Sequence, residues 1–203
     1  MRKVKLQIQM TLDGFVSGPN GEMDWMVCDW DDVLNDYVRR LTASADSFMV
    51  GRHTAEGMAV YWPTVAGNPE SKLQDIEAAE WINNTPKIVF SRSAASVEWH
   101  RARVACNIAE EVRLLKQQPG KDILLYGGAG IVSSFIQQGL IDEYHLFVNP
   151  VAIGLGKPIF RDRTEMLRLR LVQITTSTVG IAVLCYRPQR EVRSNYHNQI
   201  PNI

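Results

Sequence analysis

From Lys3 to Met10 apolar and polar residues alternate strictly, with Val4, Leu6, Ile8 and Met10 on one side and Lys5, Gln7 and Gln9 on the other. Period two predicts a strand with one apolar face. The turn residues that follow, Asp13-Gly14 through Ser17-Gly18-Pro19-Asn20-Gly21, predict a loop or irregular hairpin. Val33, Leu34, Tyr37, Val38 and Leu41 then recur at helical spacing behind Asp29, Asp31 and Asp32, whose carboxylates complement the positive end of a helix. The apolar run Ser47 to Val50 predicts a short strand ending in Gly51-Arg52-His53-Thr54. The stretch 57–69, broken by Trp62-Pro63 and Asn68-Pro69, reads as a loop.

A short helix is expected over 71–81, and a strand at Ile88-Val89-Phe90 that ends in Ser91-Arg92-Ser93. Asn107 with Glu110 three residues on is a cap signature for a helix carrying Ile108, Val112 and Leu115, stopped at Pro119-Gly120. Ile123 to Tyr126 is continuously apolar, as a central strand covered on both faces should be. Gly127-Gly128-Ala129-Gly130 follows, then a helix with Ile131, Val132, Phe135, Ile136 and Leu140 on one face. After it come strands only: Tyr144 to Val148, and a hairpin of Leu169 to Thr176 with Ile181 to Tyr186 about Val179-Gly180. The expected fold class is α/β: a single three-layer domain over 1–188 with a mixed, mostly parallel central sheet and a C-terminal antiparallel hairpin. Residues 189–203 are expected to form a polar, disordered tail.

The 22 Lys plus Arg balance 22 Asp plus Glu, which removes the basic excess a nucleic-acid binder would carry. No apolar run is long enough to cross a bilayer, and Arg2-Lys3-Val4-Lys5 opens no signal peptide, so a cytoplasmic protein is expected. Cys28, Cys106 and Cys185 are far apart and form no CxxC pair; reduced, mostly buried thiols are expected. His53, His100, His145 and His197 show no metal-ligand spacing, and no metal is expected. The arginines Arg161, Arg163, Arg168 and Arg170 read as a solvated edge strand.

The glycines at 127, 128 and 130 admit a ligand against bare peptide groups, and the helix start behind them favours a phosphate. They equally serve a plain strand-to-helix turn. Two known phosphate motifs are absent. Gly128-Ala129-Gly130 is followed by Ile131, Val132 and Ser133, so G-x-G-x-x-G fails, and no acidic residue about 20 positions on completes it. Gly156-Lys157 runs into Pro158 with no P-loop glycine upstream. Two further strands also end in small or hydroxyl residues plus arginine, at Gly51-Arg52-His53-Thr54 and Ser91-Arg92-Ser93. In a parallel sheet such ends share one edge, where guanidinium groups suit a phosphate.

Thr11-Leu12-Asp13-Gly14-Phe15, Val50-Gly51-Arg52-His53-Thr54, Ser91-Arg92-Ser93, Leu125-Tyr126-Gly127-Gly128-Ala129-Gly130 and Gly154-Leu155-Gly156 with Pro158-Ile159-Phe160 occur in a set order. In that order the chain resembles the dihydrofolate-reductase-like fold, and more narrowly the reductase domain of the bifunctional riboflavin-biosynthesis deaminase/reductase and its stand-alone relatives. The resemblance implies an NADPH-dependent reductase. Gly127, Gly128, Ala129 and Gly130 would meet the pyrophosphate and nicotinamide half, and Gly51 and Thr54 the phosphate. Arg52, Ser91, Arg92 and Ser93 would hold the adenosine end with its extra ribose phosphate. A ribosylaminopyrimidine phosphate is the implied substrate type. In the bifunctional enzymes a deaminase domain precedes the reductase, whereas this chain starts at the first reductase strand, so a stand-alone member is expected. A homodimer is implied as well, through the late strands.

Asp13 follows the first strand near the expected nicotinamide and is the candidate catalytic carboxyl group, or else the Asp of an ordinary Asp-Gly turn. Gln9, Trp25 and Asp32 are the candidate substrate contacts. Trp25 could stack on a flat heterocycle or pack internally. Asp32 lies where dihydrofolate reductases keep their substrate carboxylate, and equally suits the helix dipole. Met23-Asp24-Trp25 departs from the Met-Pro-Trp of dihydrofolate reductases, which places a folate enzyme second. A protein that binds NADPH without turnover is the alternative from another class.

Overall fold

Val4, Leu6, Ile8 and Met10 are buried while Lys5, Gln7 and Gln9 are half-buried along strand β1 (Val4–Thr11), as strict alternation requires. In this computed structural model, which describes residues 1–93, 96–162 and 165–189, β1 lies inside one sheet. The other strands are β2 (Ala45–Gly51), β3 (Lys87–Phe90), β4 (Ala102–Ala105), β5 (Asp122–Leu125), β6 (Glu143–Asn149), β7 (Leu169–Thr176) and β8 (Ala182–Pro188). Their order is β4-β3-β2-β5-β1-β6-β8-β7. The six strands from β4 to β6 pair in parallel, and β8 and β7 close the far side antiparallel. The mixed, mostly parallel sheet with a C-terminal hairpin is therefore as the sequence pattern predicts.

Helices α1 (Asp32–Ala43), α2 (Arg52–Gly67), α3 (Leu73–Asn84), α4 (Ile108–Gln117) and α5 (Ala129–Gln137) cover both faces. On one face Val112 and Leu115 of α4 and Val132, Phe135 and Ile136 of α5 pack against Val4, Leu6, Ile8 and Met10. The other face carries two separate apolar clusters. One joins Phe48, Val50, Val89 and Leu124 to Leu41, Ala55 and Ile82; the other joins Phe147 and Val183 to Leu34 and Tyr37. Between them runs the polar side of β1. Asp31 caps α1 by accepting from the Leu34 N–H at 3.1 Å, and it also accepts from the Thr178 N–H and hydroxyl in the β7–β8 turn.

Four expectations are corrected. Residues 57–69 are not a loop: α2 begins at Arg52 and runs through Pro63 to Gly67. A proline inside a helix costs about 3 kcal/mol, which the packing of Ala55, Met58, Ala59 and Trp62 on the sheet outweighs. Strand β4 was not anticipated, because its four residues, one of them Arg103, alternate too briefly to register. Of the three thiols only that of Cys185 is buried; Cys28 and Cys106 are exposed. Arg161 is not on an edge strand, since β7 starts at Leu169. Arg168 precedes that strand and Arg170 lies exposed on it. The expected polar tail, Arg163 and His197 lie outside the described residues, apart from Gln189.

Lys87 is 1% exposed at the start of β3. Its ammonium donates to the carbonyls of His100 (2.7 Å) and Asn83 (3.0 Å) and sits 4.5 Å from the Trp99 ring centroid. Burial, with the nearby Arg101 charge, pushes its pKa down to about 8 from 10.5. Between these values the unfolded chain binds more protons than the folded one, so stability rises with pH there. The stability of the wild type relative to Lys87→Met, from urea unfolding at about pH 7.5 and about pH 10, should therefore shift in favour of the wild type. The expected gain is on the order of 2 kcal/mol. A difference independent of pH contradicts this account.

Candidate functional site

Because β3, β2 and β5 are parallel neighbours, their carboxyl ends fall side by side. β2 ends at Gly51, which is the N-cap of α2, so Arg52, His53 and Thr54 form the first turn of a helix rather than the end of a strand. β5 ends at Leu125, and Gly128 is the N-cap of α5, whose first two residues are Ala129 and Gly130. Neither N-cap glycine has a side chain to satisfy the first N–H groups, so two positive helix ends with free donors meet at one edge. The Gly51 N–H reaches the Gly127 carbonyl at 3.5 Å. Gly128 has φ +84°, and a Cβ on it would lie 3.2 Å from Thr54 Oγ1, so a side chain there would be both strained and crowded.

The structure thus brings Gly51, Arg52, Thr54, Gly127, Gly128, Ala129 and Gly130 together, and the register Gly51↔Phe90 sets Ser91, Arg92 and Ser93 beside them. Arg92 and Ser93 are exposed. Arg52 makes an i,i+4 pair with Glu56 at 3.2 Å across an exposed helix surface, a contact weak enough to exchange for a ligand. Sequence reasoning missed one cation: Arg161 Nη2 would lie 3.8 Å from a Cβ on Gly130, at the start of α5. The buried Ser133 hydroxyl donates to the Ile159 carbonyl at 2.7 Å and fixes that approach. Nothing in residue spacing connects 161 to 130.

Beside this edge the polar side of β1 carries Lys5, Gln7 and Gln9, all half-buried. At its carboxyl end Gln9 Oε1 accepts from Asn149 Nδ2 at 2.6 Å. Asn149 is fully buried at the end of β6, and its Oδ1 accepts from the Val27 N–H at 3.0 Å, which ties the 20s loop to the sheet. This residue too went unremarked in the sequence. The segments 11–18 and 151–158 knit over the ends of β1 and β6: Leu12 N–H donates to Val151 O, Val16 N–H to Lys157 O and Lys157 N–H to Ser17 O. Gly156 is obligatory there, because a Cβ would stand 2.4 Å from the Ser17 carbonyl oxygen.

Asp13 belongs to that lattice. Its carboxylate accepts from the Thr11 hydroxyl and from the Gly154 (2.7 Å) and Ile153 (3.1 Å) N–H groups. Those bonds, the Thr11 hydroxyl foremost, lower its pKa and keep it ionised. Trp25 is half-buried and donates from Nε1 to the Glu22 carbonyl at 3.3 Å. Asp32 is not brought in. It is exposed in the first turn of α1, about 200° around the helix from Leu34 on the buried face, and the capping role falls to Asp31.

The mixed, mostly parallel sheet with its antiparallel C-terminal hairpin is the dihydrofolate-reductase-like fold. Dihydrofolate reductase from Enterococcus faecalis, in a structure complexed with NADP(H), superposes with a TM-score of 0.60 at 15% identity over 92% of this chain and 96% of that one. The deaminase/5-amino-6-(5-phosphoribosylamino)uracil reductase of Thermotoga maritima superposes with a TM-score of 0.63 at 19% identity, covering 93% of this chain and 57% of that longer one. YyaP, an uncharacterized protein of Bacillus subtilis strain 168, is 35% identical over 187 residues, 91% of this chain and 94% of its own length. Residues 2–183 match the RibD C-terminal domain, and the chain belongs to that family. Membership carries an oxidoreductase class. Among the described residues no helix is long and apolar enough to cross a membrane.

Proposed function

We propose that the chain is an NADPH-dependent reductase acting on a ribosylaminopyrimidine-type substrate. The observation that carries this reading is the meeting of two uncapped helix N-termini, at Gly51 and Gly128, on the edge shared with Ser91-Arg92-Ser93. Such an edge suits a pyrophosphate, whose charge the helix ends and Arg161 complement. Arg52 and Arg92 are the guanidinium groups for the ribose phosphate that separates NADPH from NADH. When bound, the dinucleotide supplies hydride. The protein's share is orientation and exclusion of water.

On the substrate side Gln9 and Asn149 offer a carboxamide pair to the edge of a flat heterocycle, and Trp25 offers a ring to cover it. Asp13 acts as a positioning residue. Locked onto Thr11, Ile153 and Gly154, it holds the two loops over the ends of β1 and β6 rather than giving up a proton. With Asp32 exposed on α1 and Asp24 in place of the proline, a pyrimidine fits better than a folate. The implied homodimer has its strongest support at the β7 edge, where Leu171, Val172 and Ile174 are 40–55% exposed.

Titration of the protein with NADPH and NADH, followed by nicotinamide fluorescence, should give tighter binding of NADPH. Arg52→Ala or Arg92→Ala should each weaken NADPH about tenfold and leave NADH nearly unchanged. Equal affinity for both nucleotides removes the phosphate assignment, and binding of neither ends the reductase reading. Turnover separates a reductase from a passive nucleotide binder, and antifolate inhibition would favour the folate alternative. Light scattering should return twice the mass of the 22.9 kDa chain, falling to one chain in Leu171→Lys/Ile174→Lys. A monomeric mass for the wild type contradicts the dimer.

A further inference from the structure

At the opposite, amino end of β6, Glu143, His145 and Cys185 converge under α1. Glu143 and His145 are two apart on one strand and so share a face, and Cys185 is the register partner of His145 across β8. All three are buried, at 5%, 6% and 5% exposure. One ligand atom from each, a carboxylate oxygen, an imidazole nitrogen and the thiol sulfur, lie within 4.8 Å of one another. None of them is used by the nucleotide edge.

The hydrogen bonding of this cluster is incomplete on one side. Glu143 Oε1 takes Lys3 Nζ at 2.8 Å and Arg187 Nη2 at 2.8 Å and Nε at 3.1 Å. Glu143 Oε2 meets His145 Nε2 only at 3.5 Å, and that nitrogen is buried with no hydrogen-bond partner. Gln7, the register partner of His145 on β1, likewise holds a buried Oε1 without a partner. A buried polar atom without a partner costs about 1–3 kcal/mol, and here two occur on adjacent strands. The other imidazole nitrogen, Nδ1, is 2.7 Å from the Tyr37 hydroxyl. Donated to Tyr37, the Nδ1 proton leaves Nε2 with a lone pair and fixes the ring, the arrangement usual behind metal-bound histidines.

We propose that Glu143, His145 and Cys185 form a site for one zinc-class divalent cation, through Glu143 Oε2, His145 Nε2 and Cys185 Sγ. Thiolate, imidazole and carboxylate together select zinc or cobalt over magnesium or calcium. Tetrahedral bonds of the usual lengths require ligand separations of about 3.3–3.8 Å; Glu143 Oε2 and His145 Nε2 already stand 3.5 Å apart, and Cys185 Sγ closes the rest on the ion. Gln7 Oε1 or a water completes the coordination. Binding displaces the thiol proton of Cys185, which leaves with solvent. The ion pins β6 to β8 beneath α1, remote from the nucleotide, so its role is structural.

The test uses the full chain with Cys28→Ser and Cys106→Ser, both at exposed positions, so that Cys185 is the only thiol. After chelator treatment, Co²⁺ alone is added. The proposal expects one equivalent bound, with a thiolate-to-cobalt charge-transfer band, intense tetrahedral d–d bands and a raised melting temperature. Adding Cys185→Ser should abolish the charge-transfer band, with the fold checked by circular dichroism. No band and no thermal shift in the double variant overturn the proposal. So does a band seen only when Cys28 or Cys106 is present.

Discussion

Parallel pairing of β3, β2, β5, β1 and β6 is the constraint from which the rest of the molecule follows. Parallel neighbours cannot be joined by tight turns, so the chain crosses back through helices or long connections, and all five carboxyl ends emerge on one edge. The helix that follows a strand starts at that edge. For α2 and α5 the start comes immediately, at Gly51 and Gly128, and both N-termini point unsatisfied donors to the same place. A phosphate edge thus arises from strand direction and two glycines, with little demand on side chains. The antiparallel hairpin β7–β8 takes no part in it and serves to cover β6 on the far side.

The second consequence concerns β1. Its neighbours β5 and β6 present Leu124 and Phe147 to the α1 side, each inside its own apolar cluster, while β1 itself presents Lys5, Gln7 and Gln9. One strand of amide and amine groups therefore lies between two dry clusters. Its two ends are dealt with differently. At the carboxyl end Gln9 meets Asn149 and the loops held by Asp13. At the amino end Lys5 pairs with Asp122 at 2.8 Å, and the Glu143–His145–Cys185 group lies on the strands beside it.

Most strands and helices were legible because period two and period 3.6 are written directly in residues such as 4–10 and 33–41; the four residues of β4 were too few to show it. The shared edge was legible too, since glycine-arginine and serine-arginine ends after three apolar runs need only parallel pairing to converge. Pro63 hid α2, because local chemistry said break while packing of Met58, Ala59 and Trp62 said helix. Arg52 and Thr54, read as the end of a strand, are the start of that helix. Arg161, Asn149 and the meeting of His145 with Cys185 were invisible for a different reason. Each depends on contacts or register between residues from 31 to 140 positions apart, as in Gly130–Arg161, Gln9–Asn149 and His145↔Cys185. Sequence spacing carries no such information.

The central claim is that a phosphorylated dinucleotide lies across the carboxyl edge of β3, β2 and β5. Amide hydrogen exchange with and without NADPH tests it most directly, because the donors invoked are backbone N–H groups. The account predicts slowed exchange at 51–55 and 127–132, with the β7–β8 hairpin unchanged. Protection confined to other segments, or none at saturating NADPH, would contradict it.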